Sequence, residues 1–282
     1  MANPARQRRK LALRLKELRE AAGLTHDEAN QRMGWARGKL TRIENESQRV
    51  LPDEIDDMLS AYGHTEERER QELKRIAKET RQRGWWQQPH STIPVKVKPL
   101  IANEAAASLI RVFDNKIPGQ LQTADYARAV IRGFRPKIEE QELERRVASR
   151  LKRRLPLDEH PPQELVVILD EAALRRPIGG SATMQEQVRH LIEMAERPNI
   201  TIQVVPESVG AYPGLGGWFC ILTFPDDDVP DMAYTDGIGG SVYLQAENDV
   251  ETCNLTFNEL NDFALSVPES IKLMQAAIER LS

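Results

Sequence analysis

The apolar residues of this chain keep a helical spacing up to about residue 83 and lose it at "WWQQPHSTIPVKVKP", where three prolines fall within fifteen residues. A segment of this kind neither continues a helix nor packs as a strand, so it divides the chain into two domains, 1–83 and 101–282, joined by a linker at 84–100. Before the break, Leu11, Leu15, Leu18 and Ala22 recur at spacings of three and four, which marks one buried helical face, and Gly23 stops that helix. Thr25 caps a second helix and forms a Thr-x-x-Glu capping box with Glu28. Gly34 permits the tight turn that follows. A third helix is expected from Ala36 to about Asn45, with Ala36, Leu40 and Ile43 inward. A fourth starts at Pro52 and carries Ile55, Leu59 and Tyr62, and the charged run "TEERERQELKRIAKETRQRG" supplies a fifth. The first domain is therefore expected to be all-α, with five helices.

Beyond the break, helices are expected near 101–115, 123–133, 139–154, 182–196, 247–266 and 268–281. Between them lie "ELVVIL", "NITIQVVP", "GWFCILTF", "DMAYT" and "SVYLQ", short runs rich in β-branched and aromatic residues and bounded by Gly, Pro or Asp. This pattern predicts an α+β domain with a small, mainly antiparallel sheet.

A formal net charge of −4 hides an uneven distribution. Residues 1–50 hold 12 Lys or Arg against 6 Asp or Glu, so the head is basic and the remainder acidic. The segment "RQRRK" near the start suits either DNA backbone contact or solubility. Cys220 and Cys253 are far apart and belong to no Cys-x-x-Cys pair, which argues against a disulfide framework or a zinc ribbon. Without an apolar leader or a membrane-length apolar run, the expected location is the cytoplasm, with no membrane contact.

On a helical wheel, Gly38, Thr41, Arg42 and Asn45 lie opposite Leu40 and Ile43, with Arg37 and Lys39 flanking them. A helix held by its apolar face and presenting arginines outward suits the major groove, where a guanidinium bonds O6 and N7 of guanine in bidentate fashion. Two features oppose a strong helix. Ala36 stands where a Ser or Thr cap is worth about 1 kcal/mol, and Gly38 costs about 1 kcal/mol of helix propensity and offers no side chain to a base. Trp35, just after the turn, is expected to plug the core between the two helices.

The stretch "LRLKELREAAGLTHDEANQRMGWARGKLTRIENESQRVLPDEIDDMLSAYG", with its Gly34 turn and Thr41-Arg42-Ile43-Glu44, resembles the lambda-repressor-like (XRE, Cro/CI-type) helix-turn-helix regulators. The resemblance implies base contacts from Arg37, Arg42, Lys39 and Thr41 and phosphate contacts from His26, Asn45 and Thr25. It also implies a structural ion pair between Arg19 and Glu44. Asn30 departs from the family pattern, occupying a slot usually held by Ala at a close helix crossing.

In the second domain, "IPGQLQT" (117–123) with Tyr126-Ala127, "DEAALRR" (170–176), Gly179-Gly180 and Val204-Val205-Pro206 resemble the large domain of WhiJ-type, antitoxin-like bacterial regulators. That likeness implies a non-enzymatic domain that receives a protein or small-molecule signal, in a protein often encoded beside a small acidic partner. Read from the residues, catalytic grammar is missing. His90, His160 and His190 form no metal pattern, "GLGG" and "GIGG" sit between expected strands, and Asp226–Asp228 read as a solvated loop tip. Glu171 at a strand end, with Tyr126 and Gln122, is the candidate partner or ligand surface, although each also suits internal packing or pairing. The helix from Arg145 to Arg154 is expected to be a solvated face.

The expected function is thus a sequence-specific transcriptional regulator, a homodimer on a two-fold-symmetric operator, with no cofactor, no metal and no catalytic residue. The competing expectation is an antitoxin-like interaction adaptor with a weakened DNA reader.

Overall fold

The computed structural model describes residues 4–46, 48–79, 93, 97–159, 161–225, 229–237 and 240–281. Residues 84–92 and 94–96 of the expected linker lie outside the described residues, as do His90, His160 and Asp226–Asp228, while its last three residues, 98–100, form the start of a helix instead of a linker. The chain forms two compact units, the first built from residues up to 79 joined by 97–106, the second from 107–225 and 230–281.

The first unit holds α1 (Pro4–Ala21), α2 (His26–Arg32), α3 (Lys39–Glu44), α4 (Pro52–Tyr62), α5 (Glu67–Glu79) and α6 (Lys98–Ala106). Leu11, Leu15 and Leu18 of α1 meet Ala29, Leu40, Ile43, Ile55, Met58, Leu59, Leu73 and Ile76 in one core, most of these residues recurring along their helices at spacings of three or four. Arg8 and Arg9 precede Leu11, Ala12 and Leu15 on α1 at those same spacings, and both arginines are buried.

Arg8 and Arg9 of "RQRRK" are therefore not part of an exposed basic arm. Arg9 donates to Glu46 at 3.3 Å and to Asn103 of α6 at 3.1 Å. Helix α6 packs on α1, so residues 101–106, expected to open the second domain, belong to the helical unit, which has six helices among the described residues.

The second unit is built on a six-stranded sheet: β1 (Leu109–Asp114), β2 (Glu164–Asp170), β3 (Ile200–Val205), β4 (Phe219–Thr223), β5 (Met232–Gly237) and β6 (Gly240–Leu244), in the order β3-β2-β1-β4-β5-β6. β1, β2 and β3 run parallel, and β4, β5 and β6 add antiparallel pairings on the other side of β1. Parallel neighbours need crossovers. α7 (Ala124–Phe134) and α8 (Glu140–Leu151) provide the first, and α9 (Ala172–Arg175) and α10 (Ser181–Ala195) the second. Two helices, α11 (Glu247–Phe263) and α12 (Val267–Arg280), follow the last strand.

Phe113, Ile168, Ile221 and Ala233 on one face of the sheet pack with Phe257 and Leu260 of α11. Their neighbours Val112, Val167, Leu169, Cys220 and Leu222 point the other way and are also buried, as strands covered on both faces require. The α+β expectation holds, with a larger sheet than the sequence suggests.

One element differs in type. The helix expected at 101–115 stops at Ala106, and "LIRVFD" is instead the central strand β1. Its apolar residues suit either period in isolation, but β1 has a strand on each side, and those two ladders decide its conformation.

Candidate nucleic-acid interface

Helix α2 starts as its sequence predicts. The Glu28 amide donates to the Thr25 hydroxyl at 3.3 Å, and the Thr25 amide donates to the Glu28 carboxylate at 2.8 Å. This bond from the Thr25 amide, aided by its hydroxyl, holds the Glu28 carboxyl below the usual carboxylate range. Thr25 is thus committed to capping α2.

The turn after α2 uses two left-handed glycines, Gly34 at φ +66° and Gly38 at φ +78°. Gly38 is the residue before α3, not a member of it. The helix is consequently shorter than expected, six residues from Lys39 to Glu44, and Ala36 is exposed in the turn instead of facing the core. Neither penalty expected from sequence applies: Ala36 is not the cap, and Gly38 supplies a backbone conformation that an L side chain resists. Asn30 takes over part of the capping task, since its side-chain oxygen accepts the Leu40 amide at 3.3 Å across the helix crossing. Trp35 packs against the core, as expected.

Arg19 and Glu44 form the ion pair implied by resemblance, with Nε–Oε1 at 2.7 Å and Nη2–Oε2 at 2.9 Å, nearly excluded from solvent. Arg19 also donates to the Leu24 carbonyl at 2.7 Å. His26, expected at a phosphate, has its Nε2 2.9 Å from the same Glu44 carboxylate.

The expected base-contacting residues separate into two groups. Arg42 is exposed on α3, with its Nε donating to Gln48 at 3.0 Å. Asn45 is exposed at the end of α3, and Thr41 is half-buried beside them. Arg37 lies in the turn, well exposed and 3.1 Å from Asp27. Lys39 is drawn inward: its Nζ sits 3.7 Å from the Trp35 ring centroid and pairs with Glu54 at 2.5 Å. Sequence spacing could not reveal Gln48, which orients Arg42 from beyond the helix end.

The second-domain candidates are internal. Gln122 donates to the Ile117 carbonyl at 2.7 Å and accepts from Arg150 at 3.1 Å. Tyr126 is fully buried, and that burial pushes its hydroxyl up to about 12. Glu171 receives Arg175 at 2.8 and 3.0 Å and the Glu207 amide at 2.9 Å. Burial alone would raise the Glu171 carboxyl, but the Glu207 amide and the Arg175 guanidinium outweigh it and hold the group below its usual range. None of the three presents an open contact surface. The one group of three metal-capable side chains among the described residues, His64, Glu66 and Glu69, has Glu69 already paired with Arg14 at 2.6 Å.

Residues 97–276, more than half of the sequence, match the family described as "Domain of unknown function (DUF5753)". The chain belongs to the DUF5753 family. Residues 10–73, spanning α2, its turn and α3, match the family described as "Helix-turn-helix domain". No curated protein and no solved structure matches the chain. The DUF5753 region opens with α6, the helix that packs on α1 of the helix-turn-helix unit. Among the described residues, no helix is long and apolar enough to cross a membrane.

Proposed function

We propose that this protein is a sequence-specific DNA-binding transcriptional regulator of the lambda-repressor-like type, and that its DUF5753 domain receives a signal without performing catalysis. The observation that carries the DNA reading is the α2–turn–α3 unit, which buries Leu40 and Ile43 and leaves Arg42 and Asn45 outward on a short helix and its end. Arg42 and Arg37 are the base-reading side chains in this proposal. Thr41 and Asn45 lie close enough in sequence to add base and phosphate contacts. Lys39, His26 and Thr25 serve chiefly to hold the unit together.

One such unit reads too few base pairs for genomic selectivity, so the regulator acts as a homodimer on half-sites about one helical turn apart. A WhiJ-type, antitoxin-like relationship would supply a small acidic protein as the signal for the second domain. A cytoplasmic, nucleoid-associated location follows from the DNA reading.

Selection of the full-length protein against a random duplex pool tests the proposal. The expected result is a two-fold-symmetric motif, with Arg42→Ala and Arg37→Ala each losing about 1–3 kcal/mol on it and relaxing its sequence preference. Equal losses on all sequences would remove base reading from these arginines. No enriched motif would favour the adaptor reading, in which the protein binds a partner instead of an operator.

A further inference from the structure

Helices α7 and α8 form a hairpin held by Ala127, Ile131, Leu143 and Val147, with Ile138 packed against them. Its tip is a tight turn, in which the Arg135 amide donates to the Ile131 carbonyl at 2.9 Å and the Ile138 amide to the Arg135 carbonyl at 3.1 Å. Phe134, the last residue of α7, is 76% exposed, the highest value among the exposed large apolar side chains described. The residues that follow it, Arg135, Pro136, Lys137 and Ile138, line an open cavity of about 440 Å³. Elsewhere on the hairpin Arg128 pairs with Glu144 at 2.6 Å and Arg132 with Glu140. No carboxylate among the described residues pairs with Arg135 or Lys137, and both are exposed.

Helix α11 is the opposite in charge. It carries Glu247, Asp249, Glu251, Glu259 and Asp262 and no basic residue. None of these five acids has an ion-pair partner among the described residues. Val250, Phe257 and Leu260 fix the helix through its buried face. Its exposed side carries Glu251, Leu255, Glu259 and Asp262 at spacings of four, four and three. Leu255 is 57% exposed, with one acid a turn before it and another a turn after. The two acids stand about 12 Å apart along the helix, at about 1.5 Å per residue. A leucine between two unpaired carboxylates complements an apolar-floored cavity rimmed by two unpaired cations.

We infer that a second copy of this chain seats α11 on the α7–α8 tip, with Leu255 in the cavity beside Phe134 and with Glu251 and Glu259 meeting Arg135 and Lys137. Both halves of the contact belong to one domain, so every copy presents both. Removing Leu255 and Phe134 from water drives the association, and the ion pairs set its register. A hydrogen-bonded turn and a packed helix lose little freedom on docking. Made twice about a two-fold axis, the contact closes as a dimer. The inference rests on the proposed function only for the homodimer and not for DNA binding.

Sedimentation velocity of the full-length protein, without DNA and across a concentration series, tests it. The expected result is self-association that weakens with salt. Changing Arg135 and Lys137 together to glutamate, or Glu251 and Glu259 together to lysine, should weaken it at least about tenfold. Mixing these two variants should restore association, because each supplies the charge that the other lacks. Leu255→Ala should weaken association with every charge retained. A monomer at every concentration would leave the tip to an acidic segment of another protein and overturn the inference. Undiminished association in both charge-reversed variants would place the homodimer contact elsewhere, overturning the inference while leaving the homodimer intact. Failure of the mixture to associate, or full-strength association in Leu255→Ala, would also overturn it. DNA binding is decided separately, by the duplex selection.

Discussion

Glu44 is the residue on which the helix-turn-helix unit turns. Its carboxylate, nearly excluded from solvent, receives Arg19 from α1 and His26 from α2, so one acid links three helices. Removing one partner of a buried ion pair leaves the other uncompensated, at a cost of about 3–5 kcal/mol. Glu44→Ala should therefore lower the stability of the first unit by that amount in denaturant melts, and the double replacement Arg19→Met with Glu44→Leu should recover part of it. An unchanged midpoint in Glu44→Ala would show that the pair contributes little. In the second unit, Glu171 has a depressed carboxyl. Its contribution to stability is therefore present above the ordinary carboxylate value and is lost as pH falls through the lower folded value. Glu171→Gln should be less stable than the unaltered protein at neutral pH, with the difference shrinking on acidification. A gap that stays constant down to acidic pH would contradict the assignment.

At the scale of elements, α3 depends on the backbone before it. Gly38 is left-handed, and a Cβ there would meet only the Arg42 Nη1 at 3.4 Å, an ordinary contact. The penalty for Gly38→Ala is therefore conformational, about 1–2 kcal/mol, and Gly38→Asn should cost less because Asn tolerates that region better. Thermal melts followed by circular dichroism read the difference. Equal stability of the glycine and alanine forms would mean that the turn does not require φ > 0. The same turn explains how the chain keeps α3 without a Ser or Thr cap: Asn30 accepts the Leu40 amide from across the crossing.

At the scale of the molecule, a basic head on an acidic chain makes DNA affinity a matter of counterion release. In the proposed dimer, with about three phosphate contacts per subunit, affinity should fall about 10³-fold between 50 and 200 mM salt. Fluorescence anisotropy on the selected operator measures that slope. A slope near zero would argue that the basic residues are spent within the protein, as Arg8 and Arg9 are.

The sequence by itself determined the helix-turn-helix, because the Leu11, Leu15 and Leu18 spacing, the Thr25–Glu28 box and the glycine at residue 34 are local signals that act within a few residues. It also marked most strands and helices of the second domain, whose boundaries carry Gly, Pro and Asp. Tertiary structure decided what depends on distant partners. "LIRVFD" became a central strand because β2 and β4 flank it. Arg9 turned inward because Glu46 and Asn103 meet it there. Lys39 left the face expected to read bases for Trp35 and Glu54, and Arg150 left the expected solvated face for Gln122. In each case a long-range contact outweighed the local pattern, since a single sequence records spacing along the chain and not which side chains folding brings together.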